Sequence, residues 1–178
     1  MRIKSKWNKR AKSQSIEEIA KAVGFISWQI ATNSLLELEN NGYETNNQIK
    51  RLKIIQEILI FSLQVTDRLV YENLNTEQRQ LFITTLAFHV ADTLIDNQKD
   101  VGDFGGKDVF IDLLNQRSED YSELSFNNDE AGFDFLRYFG EQMAIVLQDS
   151  HFVSQQIVDI EGPDIVEKLQ KGIKGLFS

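Results

Sequence analysis

Apolar residues recur along this chain at steps of three and four, the repeat of one face of an α-helix. Ser15-Ile16-Glu17-Glu18 has capping-box spacing: the Ser side chain accepts from the amide three residues on while Glu18 reaches back. Ile16, Ile19, Val23, Ile26 and Ile30 then share a face, and Asn41-Gly42 supplies a left-handed stop. Thr45-Asn46-Asn47-Gln48 repeats the start signal. Leu52, Ile55, Leu59, Ser62, Leu63, Thr66 and Leu69 continue to about Tyr71. Ile54, Ile58, Ile60 and Phe61 make this second helix apolar nearly all round, which predicts a central position in a bundle.

Asn75 or Thr76 caps a third helix, predicted from Glu77 to about Asn97. A Gly- and Asp-bearing connection follows, from Asp100 to Gly106. The fourth helix holds Val109, Phe110, Leu113 and Leu114 and ends near Tyr121. Asn127-Asn128-Asp129 reads as the cap of a fifth, with Phe133, Leu136, Phe139, Met143 and Leu147 facing inward. Asp149-Ser150 opens a sixth containing Val153, Ile157 and Ile160. Gly162-Pro163-Asp164 punctuates before a last helix with Ile165, Val166, Leu169, Ile173 and Leu176, since Pro is favoured at a first helical position. No sustained period-two alternation is present, so no sheet is expected. The expectation is all-α: a single-domain bundle of six or seven helices over residues 15–178, preceded by a basic arm, residues 1–14.

Composition narrows the class. Hydrophobic residues make up 42% and charged residues 26%, which excludes a wholly disordered chain. No Cys occurs, which removes disulfides, Cys-ligated zinc, iron–sulfur clusters and Cys nucleophiles together. No apolar run reaches eighteen residues and residues 1–14 lack the apolar stretch of a secretory signal, so no transmembrane segment and a cytoplasmic location are expected.

Charge is unevenly placed. The net is −8, yet residues 1–14 contain Arg2, Lys4, Lys6, Lys9, Arg10 and Lys12 and no acid. The remainder therefore holds thirteen basic and twenty-seven acidic residues, a net of −14. Such a body repels polyanions, so a nucleic-acid partner is not expected for it. Only the arm, which also carries Trp7, offers polyanion contact; the competing readings are a solvated terminus and an arm lying against its own acidic body.

Candidate chemistry is sparse. There is no G-x-S-x-G and there are two His residues, so no catalytic residue and no cofactor are named. Gly102-Asp103-Phe104-Gly105-Gly106 lacks the Lys-Ser/Thr tail of a phosphate loop. An EF-hand register from Asp96 fails at Val101 and Lys107, leaving Asp96, Asp100 and Asp103 as a looser oxygen set. The sharper pattern is Thr85, His89, Asp92 and Asp96, spaced four, three and four on one helical face. A His with carboxylates between helices is how bundle metal sites are built, but those draw ligands from several helices and this motif occurs once. The plainer reading is a His89–Asp92 hydrogen-bonded pair, and no metal is assigned. His151, in the first turn of the sixth helix, reads as a surface residue.

Aromatics point to partners. Phe25 and Trp28 widen the apolar face of the first helix, and Phe135 and Tyr138 lie off the expected inner face of the fifth. Either further helices or a second copy must cover them, which predicts a homodimer. The function expected is a non-enzymatic helical interaction or assembly protein. The alternatives are a metal- or small-ligand protein or enzyme around His89, Asp92 and Asp96, and polyanion contact through the arm.

Overall fold

The computed structural model describes residues 14–102, 104–149 and 152–177. Among them the chain forms α1 (Ile16–Asn40), α2 (Gln48–Val70), α3 (Thr76–Gln98) and α4 (Lys107–Ser122). A small ribbon follows, β1 (Phe126–Asn127) with β2 (Glu130–Ala131), then α5 (Phe133–Leu147), α6 (Phe152–Gln156), a π-helical turn (Ile157–Glu161) and α7 (Gly162–Ile173). The architecture is an all-α bundle, with 77% of the described residues helical.

The start signals act as the sequence implies. Glu18 donates its amide to Ser15 Oγ at 3.1 Å, and the Ser15 amide donates to Glu18 Oε2 at 3.0 Å. Asn75, rather than Thr76, caps α3, exchanging the same pair of bonds with Gln78 at 2.9 and 3.1 Å. Asn47 accepts from the Lys50 amide at 2.7 Å to open α2. Each cap satisfies an amide that helix geometry leaves without a partner.

α2 lies at the centre, with α1, α3, α4, α5 and α7 all packed against it. Ile54, Leu59, Ile60 and Phe61 are wholly buried on different sides of this one helix. The Phe61 ring stacks on Phe139 at 4.0 Å between centroids, meets the edge of Phe135 at 5.7 Å and tilts against Tyr121 at 6.3 Å. One charged pair sits among these apolar groups: Glu57 of α2 accepts from Arg117 Nη2 of α4 at 2.9 Å, with side-chain exposures of 8% and 15%. α7 runs back along α1. Lys168 Nζ lies 3.6 Å from Glu37 Oε1 and Gly172 packs under Ile26.

Three expectations are corrected. First, Asn127-Asn128-Asp129 does not cap a helix. Phe126 pairs with Ala131 and Asn127 with Glu130, and the central residues Asn128 (φ 52°) and Asp129 (φ 60°) both adopt the left-handed backbone that a two-residue hairpin demands. α5 starts instead from Gly132, whose amide donates to the Ser125 carbonyl at 2.7 Å; a Cβ there would stand 2.7 Å from the same oxygen.

Second, the inner face of α5 differs at its start: Phe139, Met143 and Leu147 are buried as expected, but Phe135 replaces Phe133. Phe133 is 69% exposed and Phe135 fully buried, because the stack on Phe61 selects Phe135, Phe139 and Met143 at steps of four. Leu136 is half-buried, against Gly162.

Third, Gly162-Pro163 stands in the first turn of α7 as expected, but it does not interrupt the helical backbone. The backbone stays helical from Phe152 to Ile173, and the Gly162 amide donates to the Ile157 carbonyl five residues back. Proline lacks an amide and its ring collides with the carbonyl four residues earlier in an α-helix. The widened turn ahead of Pro163 moves those carbonyls aside. The same turn carries Ile160 outward, 55% exposed, and Glu161 inward, 2% exposed.

Candidate functional site

Two surfaces hold the candidate residues: the outer face of α1 and α3, and a cleft on the far side of α3. The first grows from a seam of small side chains. Ala20, Gly24, Ser27 and Ala31 recur along α1 and are buried, which lets α3 approach closely. At the closest point the His89 ring of α3 rests on Gly24, where a Cβ would come within 2.4 Å of Cδ2. Because α2 packs behind both helices, their opposite sides form one outer face. The large apolar residues exposed on these two helices are Phe25 at 60% and Leu36 at 53% from α1, and Leu81 at 43% and Phe88 at 45% from α3; Phe88 also lines the cleft on the other side of α3. Trp28, half-buried, lies one turn beyond Gly24 at the seam.

The charged stripe on α3 does not converge. Thr85 and His89 are half-buried, while Asp92 and Asp96 point outward. Asp92 Oδ1 accepts from Lys107 Nζ at 2.6 Å, and Asp96 Oδ1 lies 2.8 Å from Lys99 Nζ. The expected His89–Asp92 hydrogen bond is therefore replaced by an Asp92–Lys107 ion pair between helices. Lys107 also lies over the Phe88 ring, 4.8 Å from its centroid. Among the described residues no three His, Asp or Glu side chains gather as a metal set. Asp100 is exposed in the turn after α3, while Gly102 (φ 80°) and Gly105 (φ 96°) supply the left-handed backbone of that loop. Asp103, His151 and the arm residues Arg2, Lys4, Lys6, Trp7, Lys9, Arg10 and Lys12 lie outside the described residues.

The interface residues expected on α5 are occupied within the fold. Phe135 is fully buried, wedged among Phe61, Tyr121 and Phe126. Tyr138 meets the edge of Tyr121 at 4.8 Å and donates its hydroxyl to Asp120 Oδ2 at 2.5 Å. Burial, reinforced by the Asp120 carboxylate, pushes its phenol up to about 12. Sequence reasoning missed Leu36, Leu81 and Phe88. Their signal was present as apolar positions on the side of each helix opposite its core stripe.

The second surface is a cleft of about 980 Å³ between the end of α2, the first half of α3, α4 and the hairpin. Leu69, Ile83, Ile111 and Phe126 give it an apolar lining. Its two arginines are committed. Arg79 forks onto Asp67, with Nε to Oδ1 at 2.7 Å and Nη2 to Oδ2 at 2.5 Å, beneath the Tyr71 ring at 4.9 Å. Arg68 Nη2 donates to the Tyr121 and Ser122 carbonyls at 2.9 and 3.3 Å, satisfying the end of α4. Gln64 Nε2 donates to Ser118 Oγ at 2.7 Å across the cleft. Glu72 and Asp129 remain at the mouth as acids without an ion-pair partner among the described residues.

None of the described helices is long and apolar enough to cross a membrane. Comparison of the chain with protein-family models, curated proteins and solved structures returns no match.

Proposed function

We propose that this chain is a helical interaction protein that assembles with a second copy through the outer face of α1 and α3. The observation that carries the reading is the exposure of Phe25 and Leu36 on α1 and of Leu81 and Phe88 on the adjacent α3, with Trp28 of α1 half-buried. Large apolar side chains grouped on one face mark interaction surfaces, and Trp is a frequent centre of binding energy.

Size and charge support a copy of the same chain as the partner. A helix of 25 residues is about 37 Å long and neighbouring helices stand about 8–10 Å apart. Two side by side offer roughly 700 Å², near the ~800 Å² per partner of a standard interface. A body of net charge −14 repels its copy in general; on the α3 side Asp92 pairs with Lys107 and Asp96 with Lys99, which lowers that repulsion locally.

Sedimentation equilibrium at micromolar concentration tests the reading. The full chain is expected at twice its 20.5 kDa mass. Phe25→Glu and Phe88→Glu, both exposed in the fold, are expected to return it to a single chain with unchanged helicity. A full chain found only at 20.5 kDa overturns the proposal.

A further inference from the structure

We infer that the cleft between α2, α3, α4 and the hairpin is the docking site of the chain's own basic segment, residues 2–12, with Trp7 and Ile3 against its apolar lining. The cleft combines Leu69, Ile83, Ile111 and Phe126 with two acids, Glu72 and Asp129, that have no ion-pair partner among the described residues. Asp67 neutralises Arg79, and the one remaining cation of the described lining, Arg68, is turned onto the α4 carbonyls and outnumbered by Glu72 and Asp129. A complementary occupant has apolar anchors set among positive charges.

The segment before α1 has that character. Arg2, Lys4, Lys6, Lys9, Arg10 and Lys12 surround Ile3 and Trp7, and no acid interrupts them. Positions 3 and 7 are four apart, so a helix and an extended strand both place the two apolar side chains on one side. The volume, about 980 Å³, lies at the upper end of small-molecule sites and suits several residues of peptide.

Reach and placement also agree. Short connections make α1, α2 and α3 run alternately up, down and up, so the start of α1, the end of α2 and the start of α3 share one end of the bundle. The cleft opens on that end, at residues 63–73 and 79–88. Two interaxial spacings separate α1 from it, about 16–20 Å. The nine residues from Trp7 to Ile16 span up to about 30 Å when extended. Opposite charge across the two surfaces favours the encounter, and tethering raises the effective concentration of the segment without any new contact.

The test uses the full chain labelled with 5-fluorotryptophan, with the Trp7 fluorine resonance assigned by Trp7→Phe. Its shift between H2O and D2O reports exposure, and a synthetic peptide of residues 1–13 supplies the fully exposed value. Docking predicts a solvent-isotope shift for Trp7 several-fold smaller than in the peptide. It further predicts recovery toward the peptide value in Glu72→Lys/Asp129→Asn or in Ile83→Asp. Both variants are checked for the native Trp28 resonance, which keeps loss of docking distinct from loss of fold. Three results overturn the inference: a wild-type Trp7 with the peptide's shift, protection that persists in both folded variants, and protection that fades on dilution, which places the segment on a second copy.

Discussion

Gly24 of α1 and His89 of α3 compete for one space: a Cβ on Gly24 would stand 2.4 Å from Cδ2 of the imidazole. This contact explains a glycine in the middle of a helix, where it is unfavourable by about 1 kcal/mol relative to alanine. Gly24→Ala is therefore expected to destabilise by about 1–3 kcal/mol despite its better helix propensity, because either the ring or α3 must shift. In a His89→Ala background the same change is expected to be neutral or stabilising by up to about 1 kcal/mol. Urea unfolding of the four proteins reads the coupling directly. Equal effects of Gly24→Ala in the two backgrounds would show that the ring is not what excludes a side chain there.

A second coupling lies in the core. Glu57 and Arg117 meet at 2.9 Å with little exposure of either side chain. Removing one partner strands a buried charge, so Arg117→Ala is expected to cost about 3–5 kcal/mol. Replacing both by apolar groups of similar volume, Glu57→Leu with Arg117→Met, is expected to be far milder and close to neutral. A double variant as unstable as Arg117→Ala would assign the loss to packing rather than to charge.

The α3 stripe makes a third prediction. Asp92 and Asp96 are each taken by a lysine, and His89 turns into the α1 seam. Manganese, iron or zinc is therefore expected to leave the melting temperature of the wild type unchanged. A rise of several degrees that disappears in His89→Ala and Asp92→Asn would show a ligand bound by the folded state and return the stripe to the status of a metal site.

The helices were legible because local rules set them: caps at Ser15, Asn47 and Asn75 and three-four spacing need no knowledge of the rest of the chain. What escaped was decided by partners distant in sequence. Phe133 and Phe135 are both plausible core residues locally, and only the ring of Phe61, more than seventy positions earlier, chooses between them. Asp92 was matched to His89 by spacing along one helix, but Lys107 arrives from the next helix and takes it. Pro163 looked like a boundary because a π turn, an uncommon element, is what carries a helix past it. The hairpin hid in Asn128-Asp129, a dipeptide that serves caps and tight turns alike. The cleft itself has no local signature, since four elements far apart in sequence line it.

The π turn leaves a last consequence in Glu161. Its side chain is 2% exposed, Oε1 accepts from Gln156 Nε2 at 3.3 Å, and Oε2 is buried without a hydrogen-bond partner. Glu37 of α1 and Asp164 of α7 face it, with Tyr43 nearby, and Lys168 bridges those two acids at 3.6 and 2.5 Å. Burial first, then the neighbouring carboxylates, raises the Glu161 carboxyl above its ordinary 4.5 against the opposing Gln156 bond. An acid whose pKa is higher in the folded state binds more protons there than when unfolded. Its contribution to stability therefore falls as pH rises from the unfolded value toward the folded one. Glu161→Gln keeps the shape and removes the titration. The variant is expected to match the wild type below about pH 4, where both side chains are neutral, and to become progressively more stable than it as pH rises through 5 and 6. Urea midpoints at several pH values measure the gap. A gap that stays constant with pH, or one that widens toward acid, would show that the Glu161 carboxyl is not the group held neutral by burial.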